Sequence, residues 1–574
     1  MDQALKHYIY IALIGIVLFV PFLGQVHLFD WDEINFAESA REMIVSGDYF
    51  RVQVNFQPFW EKPPLFIWMQ VLSMKIFGVN EFAARFPNAL CGIATLLVIY
   101  HIGRRNFTSR LGYFWVACFI GAFTPHLYFK SAIIDPTFNL FIFLGIYQIF
   151  RASELEASSR RMKIYALAGI FLGLAVLTKG PAAAAITLLC VISYFIYKRF
   201  RFYFNWKDLL IYVLCSIAVA FAWFGVETVN NGFFFLREFI LYQVDLFRNP
   251  VASHGQPWYY HPIVLLLGCF PVSVISFNMF KNSIGTTSQQ GFVVWMKILF
   301  WVVLVLFSIV KTKIAHYSSL CYLPLTFLAA YAIENIVEGH WNWKRWLTIP
   351  LLTVGGLLGT ALTLLPFVAS SLSLKEELLS RMKDPFAVAN FTRPVYWSGF
   401  EWLIGVVFLV AIIAGAVLLY RKKYKTGFLS LLMGTMVTLQ LYLYIIVPKI
   451  EQYSQGAAIQ FWESLQGKDV YAQPLGYDTY AHYFYTRVKP WDNAAPDFQR
   501  FRSVNEASFR ERFPTDWFDH LLREWLLDGR LDKPAYFCCH ISKAEEYARR
   551  PNFIKIGEDG GFVFFKREPA GGRD

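Results

Sequence analysis

The sequence predicts a polytopic α-helical membrane protein of about thirteen spans, closed by a small α/β domain outside the membrane. Of its 574 residues, 56% are hydrophobic and only 16% are charged, against about 25% charge in a typical soluble domain. Apolar stretches of about 20 residues, the length that crosses a bilayer, recur along the chain. Basic residues gather in every second connection between those stretches. That grouping is a topology signal, and it removes the nucleic-acid reading that the net charge of +12 would otherwise invite.

In chain order the candidate spans are 8–28, 86–103, 111–129, 132–150, 163–178, 181–197, 208–226, 261–280, 293–310, 318–337, 346–367, 400–420 and 427–447. The first is too long for a signal-peptide core and lacks a small-x-small cleavage site, so it reads as a retained anchor. An odd number of crossings puts the termini on opposite sides. The basic connections hold Arg104, Arg105 and Arg110; Arg151, Arg160, Arg161 and Lys163; Lys198, Arg199, Arg201 and Lys207; Lys344 and Arg345; and Arg421, Lys422, Lys423 and Lys425. The positive-inside rule makes these cytoplasmic, with the N-terminus, and turns the remaining connections outward.

Those outer connections are 29–85, a turn near Lys130, Lys179-Gly180, 227–260, 311–317, 368–399 and the tail from Pro448. Segment 29–85 carries a helical pattern and the aromatic run Phe56, Phe59, Trp60, Phe66 and Trp68, which suits helices lying in the membrane interface. Residues 1–447 therefore form the membrane domain. In 448–574 charge rises, and the strand-like pieces Asp469–Ala472, Ala535–Cys539 and Phe562–Phe565 alternate with the helical pieces Tyr477–Tyr485 and Trp517–Leu527, as in a small α/β domain. Six of the eight cysteines lie in apolar spans, Cys538 and Cys539 are adjacent, and no CxxC spacing suggests zinc.

The polar residues that are hardest to place structurally collect on the outer side. Asp30, Asp32 and Glu33 follow the first span at once, where like charges repel in a low dielectric. Asp32 can cap the helix that follows, with Ile34, Ala37 and Ile44 near one face, Glu38, Arg41 and Glu42 elsewhere, and Gly47 as the stop. Capping needs only one acid. Glu61-Lys62-Pro63-Pro64 sets an acid beside a base on a backbone fixed by proline. Asp135-Pro136 opens a span as cap and first helical residue, and capping explains it as well as function does.

Lys179 ends a span, and Lys311, Lys313, His316 and Tyr317 fill a later outer turn. Cations at outer turns run against the topology bias, so several should have an anionic partner. Connection 227–260 adds Arg248, whose guanidinium suits phosphate, and His254. Carboxylates and cations on one outer face beside lipid fit transfer of a group from a lipid phosphate. Cations hold the charge of the leaving phosphate, and a carboxylate takes the proton of an attacking hydroxyl. A lipid or sugar-lipid transporter is the rival class. It would place its ionisable residues near the bilayer midplane, on internal repeats that this sequence lacks.

Asp32-Glu33-x-x-Phe-Ala-Glu-x-x-Arg-Glu-Met followed by Trp60-Glu61-Lys62-Pro63 resembles the first periplasmic loop of the bacterial 4-amino-4-deoxy-L-arabinose lipid A transferases. These belong to the wider group that includes protein O-mannosyltransferases, with the GT-C membrane fold. The likeness extends to Ile134-Asp135-Pro136, Thr178-Lys179-Gly180 and Lys311 through Tyr317, and departs at Asn35-Phe36, where the aminoarabinose enzymes tend to have Arg-Tyr.

The resemblance implies transfer of a sugar from undecaprenyl phosphate to lipid A or another periplasmic glycan or protein acceptor, without a nucleotide cofactor or nucleic-acid partner. It implies Asp32 as the catalytic carboxylate, with Asp135 and Lys179 lining the cavity and Lys62, Arg248 and Tyr317 meeting the donor phosphate. Glu61 would be one ligand of a divalent metal ion, with His254 as a candidate second ligand. The sugar and the acceptor stay open. A protein O-mannosyltransferase-like enzyme is the alternative.

Overall fold

The computed structural model describes residues 3–249, 255–490, 496–513 and 517–569, apart from the side chains of 246 and 247. Among them, eight helices are long and apolar enough to cross a membrane, or up to ten if each of two bent pairs is one span. The bent pairs are Phe123–Lys130 with Asp135–Ser153, at 115°, and Tyr260–Gly268 with Val272–Phe280, at 107°. The expected first span 8–28 is shorter in the fold: α1 (Gln3–Phe19) stops just before Pro21, which cannot continue a helix ladder. The expected span 111–129 is broken after Ile120, and Phe123–Leu127 restarts beyond Gly121.

Side-chain volume decides how closely the helices approach. Glu81–Asn106 (α4) packs against the following helix Ser109–Ile120 (α5) where Gly103 meets Gly112, and a Cβ on Gly103 would lie 2.8 Å from the Gly112 Cα. Small residues at such crossings let backbones touch where lipid supplies no hydrophobic drive. The long helix Trp206–Arg248 is interrupted at Gly232, whose φ of 72° and ψ of −177° favour glycine. The segment beyond it turns back over the first outer loop, laying Tyr242 on Lys62.

That loop holds α2 (Asp32–Ser46), α3 (Leu65–Phe77) and a hairpin of β1 (Gln53–Val54) with β2 (Gln57–Pro58). Gly47 closes α2 in the left-handed conformation, as expected. Two features of α2 bear on the alternatives raised by the sequence. Its N-cap is Trp31, with no side-chain cap, so Asp32 is the first helical residue and does not cap. Glu38, Arg41 and Glu42, expected off the apolar face, are nonetheless buried with the rest of Glu33 to Met43. The C-terminal region covers them: Arg41 grips both Glu38 oxygens at 2.6 and 2.7 Å, and its Nη2 donates to the Val488 carbonyl at 2.9 Å. Burial, then the neighbouring Glu38 charge, pushes the Glu42 carboxyl well up from its ordinary value.

Residues 471–567 build a four-stranded sheet in the order β3 (Tyr471–Leu475), β4 (Ala535–His540), β6 (Phe562–Arg567), β5 (Ile554–Asp559). β3 and β4 run parallel, and the other pairings are antiparallel, with Phe537 opposite Phe565. Trp525, Leu521 and Phe498 from the helices Trp517–Asp528 and Pro496–Arg512 cover one face. The other face joins the core of the first loop, where Cys538, Phe562 and Phe484 share a cluster with Leu28, Ile34 and Ala37. Strands β3, β4 and β6 answer the expectation within a few residues. β5 was not foreseen, because this edge strand carries polar residues, little apolar burial and a register shift between Lys555 and Gly557. All eight cysteines are free thiols.

Candidate active site

Four chain segments meet where their polar ends leave the bundle. Asp32 opens α2, Asp135 opens Asp135–Ser153, Lys179 closes Ser159–Lys179, and His316 and Tyr317 sit in the tight turn Ala315–Cys321. Lys179 Nζ donates to Asp135 Oδ1 at 2.7 Å and lies 4.6 Å from the centre of the Tyr317 ring. His316 Nε2 stands 3.2 Å from Asp32 Oδ2 and 3.7 Å from Asp135 Oδ2. A cation, a carboxylate, an imidazole and a second carboxylate thus follow one another through space.

Burial alone would raise the Asp32 carboxyl, but the close His316 imidazole, with Lys62 and Lys179 behind it, holds it well below the usual carboxylate range. It is charged, and 35% of its side chain remains open to a visitor, against 3% for Asp135. Capping does not explain Asp135 either: the N-cap of its helix is Ile134, and no side-chain cap bond is made.

Of the expected site residues, Asp32, Asp135, Lys179 and Tyr317 are in this cluster, and the Lys62 charge acts on Asp32 from its edge. Lys62 Nζ is 3.9 Å from the Glu61 carboxylate and 5.0 Å from the Tyr242 ring centre. Arg248 is exposed at the far end of its helix, apart from the described contacts of the cluster, and His254 lies outside the described residues. The expectation that several of these cations have anionic partners is met by Lys179 with Asp135 and, more loosely, by Lys62 with Glu61. Lys130 and Lys313 donate instead to the main-chain carbonyls of Pro21 and Val310 at 2.8 and 2.6 Å.

The described residues do not build a metal centre at Glu61. Among them, no group of three metal-ligating side chains includes it, and the polar group at its own carbonyl is Gln243, whose Nε2 donates at 3.4 Å.

Comparison with known proteins adds the context. A family model described as dolichyl-phosphate-mannose-protein mannosyltransferase matches residues 61–230. An undecaprenyl phosphate-alpha-4-amino-4-deoxy-L-arabinose arabinosyl transferase of Shewanella sediminis is 27% identical over 58% of this chain and 60% of its own length. A protein of the same name from Photorhabdus laumondii is 22% identical over 96% of this chain and 97% of its own. The solved structure of ArnT from Cupriavidus metallidurans bound to undecaprenyl phosphate superposes over 98% of both chains with a TM-score of 0.75 at 19% identity. The chain has the GT-C fold and is similar in sequence to the aminoarabinose transferases. The first of these relatives is matched over only about three-fifths of its length.

Within this GT-C chain, His316 is the site residue that sequence reasoning undervalued. Its signal was its place beside Tyr317 in an outer turn already rich in cations. The Asp135–Lys179 pair gives a prediction. Lys179→Met should cost about 2–3 kcal/mol, less than the roughly 3–5 of a fully broken buried pair, because His316 still faces Asp135. Adding Asp135→Asn should restore most of that stability. Melting temperatures of the single and double variants check it, and a double variant no more stable than Lys179→Met would show that the pair is not coupled.

Proposed function

We propose that this chain is a glycosyltransferase that moves a sugar from a polyprenyl phosphate, of the undecaprenyl type, to an acceptor at the periplasmic face of the inner membrane. The observation that carries the reading is a charged, partly open Asp32 ringed by His316, Lys62 and Lys179 at the outer ends of apolar helices. An aminoarabinose-type sugar delivered to lipid A suits the relatives' names best. A polypeptide acceptor is the second reading, favoured by the name of the matching family model.

In the reaction, an acceptor hydroxyl oxygen attacks the anomeric carbon and the bond from that carbon to the phosphate oxygen breaks. The bonding pair leaves with the polyprenyl phosphate, and the hydroxyl proton passes to the Asp32 carboxylate. Phosphate is a good leaving group, so cations that hold its charge serve where a strong acid would otherwise be needed. Lys62 is proposed to hold the donor phosphate, with Lys179 positioned by Asp135 and stacked on Tyr317. Arg248 would reach the same phosphate from the segment beyond Gly232. Glu61 and His254 as ligands of a divalent ion remain a separate proposal for that loop.

The orientation belongs to the same proposal: N-terminus cytoplasmic, residues 448–574 periplasmic as a domain distinct from 1–447. It takes thirteen crossings, which follow if the shorter apolar helices Gln3–Phe19, Ser109–Ile120 and Ala182–Tyr197 cross along with the eight long helices and the two bent pairs. The purified protein should be inert towards nucleotide sugars and active with a polyprenyl phosphate sugar. Release of polyprenyl phosphate, followed by mass spectrometry, reads this directly. Efficient turnover of a nucleotide sugar would place the chain in another enzyme class.

A further inference from the structure

Away from the Asp32 cluster, one histidine stands among three carboxylates from distant parts of the chain. His27 lies in the connection after α1, Glu81 is the first residue of α4, and Glu463 is on the helix Gly456–Ser464. One ligand atom from each of these three comes within 4.8 Å of the others. It is the one such group of three among the described residues.

The imidazole is set up asymmetrically. Its Nδ1 is 2.9 Å from Glu451 Oε1, and Glu451 is 6% exposed. A carboxylate on one ring nitrogen fixes the tautomer and turns the lone pair of the other outward, as the outer partner of a metal-bound histidine does. The other nitrogen, Nε2, faces Glu463 Oε1 at 3.7 Å. That separation is too long for a hydrogen bond. It is close to the roughly 3.3–3.5 Å between two ligands of a tetrahedral ion with bonds of about 2.0–2.2 Å.

Charge argues the same way. Three carboxylates gather round one imidazole, and the neighbouring Arg85 and Arg487, whose charges act on Glu81, spend their hydrogen bonds on other groups. Arg85 holds Glu33 and three main-chain carbonyls, and Arg487 donates to the Val79 carbonyl at 2.8 Å.

We propose that His27, Glu81 and Glu463 bind a divalent transition-metal ion, with Glu451 as the outer carboxylate that orients the histidine. Imidazole with carboxylate oxygens is a donor set of the zinc type. The site is structural. It ties the C-terminal region, through Glu463, to the connection that leads into Asp32 and to the head of α4, so that binding energy becomes folding energy. This is a place separate from Glu61, and it stands whether or not the proposed sugar transfer is right.

The test uses the full chain purified in detergent, stripped by a chelator and reloaded with Zn²⁺, with bound metal counted by elemental analysis after gel filtration. Wild type should retain Zn²⁺ and melt at a higher temperature than its stripped form. His27→Gln and Glu463→Gln should each lose one equivalent relative to wild type, and Glu61→Gln should keep that equivalent. Glu463 is nearly half exposed, so the stripped Glu463→Gln variant should melt where the stripped wild type does, which separates lost metal from lost fold. A wild type that holds no Zn²⁺, or His27→Gln and Glu463→Gln variants that keep the full complement, would overturn the assignment.

Discussion

Asp32→Asn should lower sugar-transfer turnover at least about 10²-fold in a protein that folds and melts almost as wild type does. Asparagine keeps the shape of the side chain, and its carbonyl oxygen can still meet His316, now at 3.2 Å from Asp32 Oδ2. What it loses is the negative charge and the capacity to take a proton. Because Trp31 and not Asp32 occupies the cap, a fall in turnover could not be a lost helix cap in disguise. Asp30→Asn supplies the control: Asp30 Oδ1 accepts from the main-chain N–H groups of Trp31 and Tyr480 at 3.1 and 3.3 Å, so its loss should be much milder. Donor turnover of the purified variants, read beside their melting curves, decides the matter. Near-normal turnover by Asp32→Asn would remove it from the chemistry.

The adjacent acid should behave in the opposite way. Glu33→Gln is expected to destabilise the protein by about 3–5 kcal/mol, the usual cost of breaking a buried ion pair. Glu33 is 4% exposed. Its carboxylate accepts from Arg85 Nε at 3.1 Å and Nη2 at 2.8 Å, from Phe29 N at 2.8 Å and from Ala132 N at 2.5 Å. Glutamine has one oxygen for these donors, and its amide would push two N–H groups towards the rest. The melting temperature should fall by far more than for Asp32→Asn, and expression with it. A Glu33→Gln protein as stable as wild type would show that Arg85 is held by its main-chain acceptors alone.

These two neighbours mark how far the sequence could be read. The crowding of Asp30, Asp32 and Glu33 behind an apolar span signalled that the three acids could not all be caps. Which one served structure was hidden, since Arg85 is 52 residues further along the chain and Ala132 is 99. Asp135 and Lys179 were both visible as helix-end residues, but their pairing depends on two helix ends meeting in space. The spans themselves were legible because apolar length is a local property. The breaks were passed over because apolar length takes no account of single helix breakers, although Pro136 follows the bend near Ser131 and Pro271 the one near Gly268. The polar residues of α2 could not be placed locally, because their cover comes from the opposite end of the chain.

That cover has a consequence for how the protein is made. Arg41 leaves the ribosome 447 residues before Val488, the residue whose carbonyl it will hold. At about 5–20 residues per second, that is a wait of roughly 20–90 s. Throughout it, a helix carrying Glu38, Arg41 and Glu42 stands without its final partner. The helix bearing Asp32 is therefore among the earliest parts of the chain to be synthesised and among the last to be finished. A nascent chain stalled anywhere before β3 would present this charged, unroofed helix to proteases and chaperones.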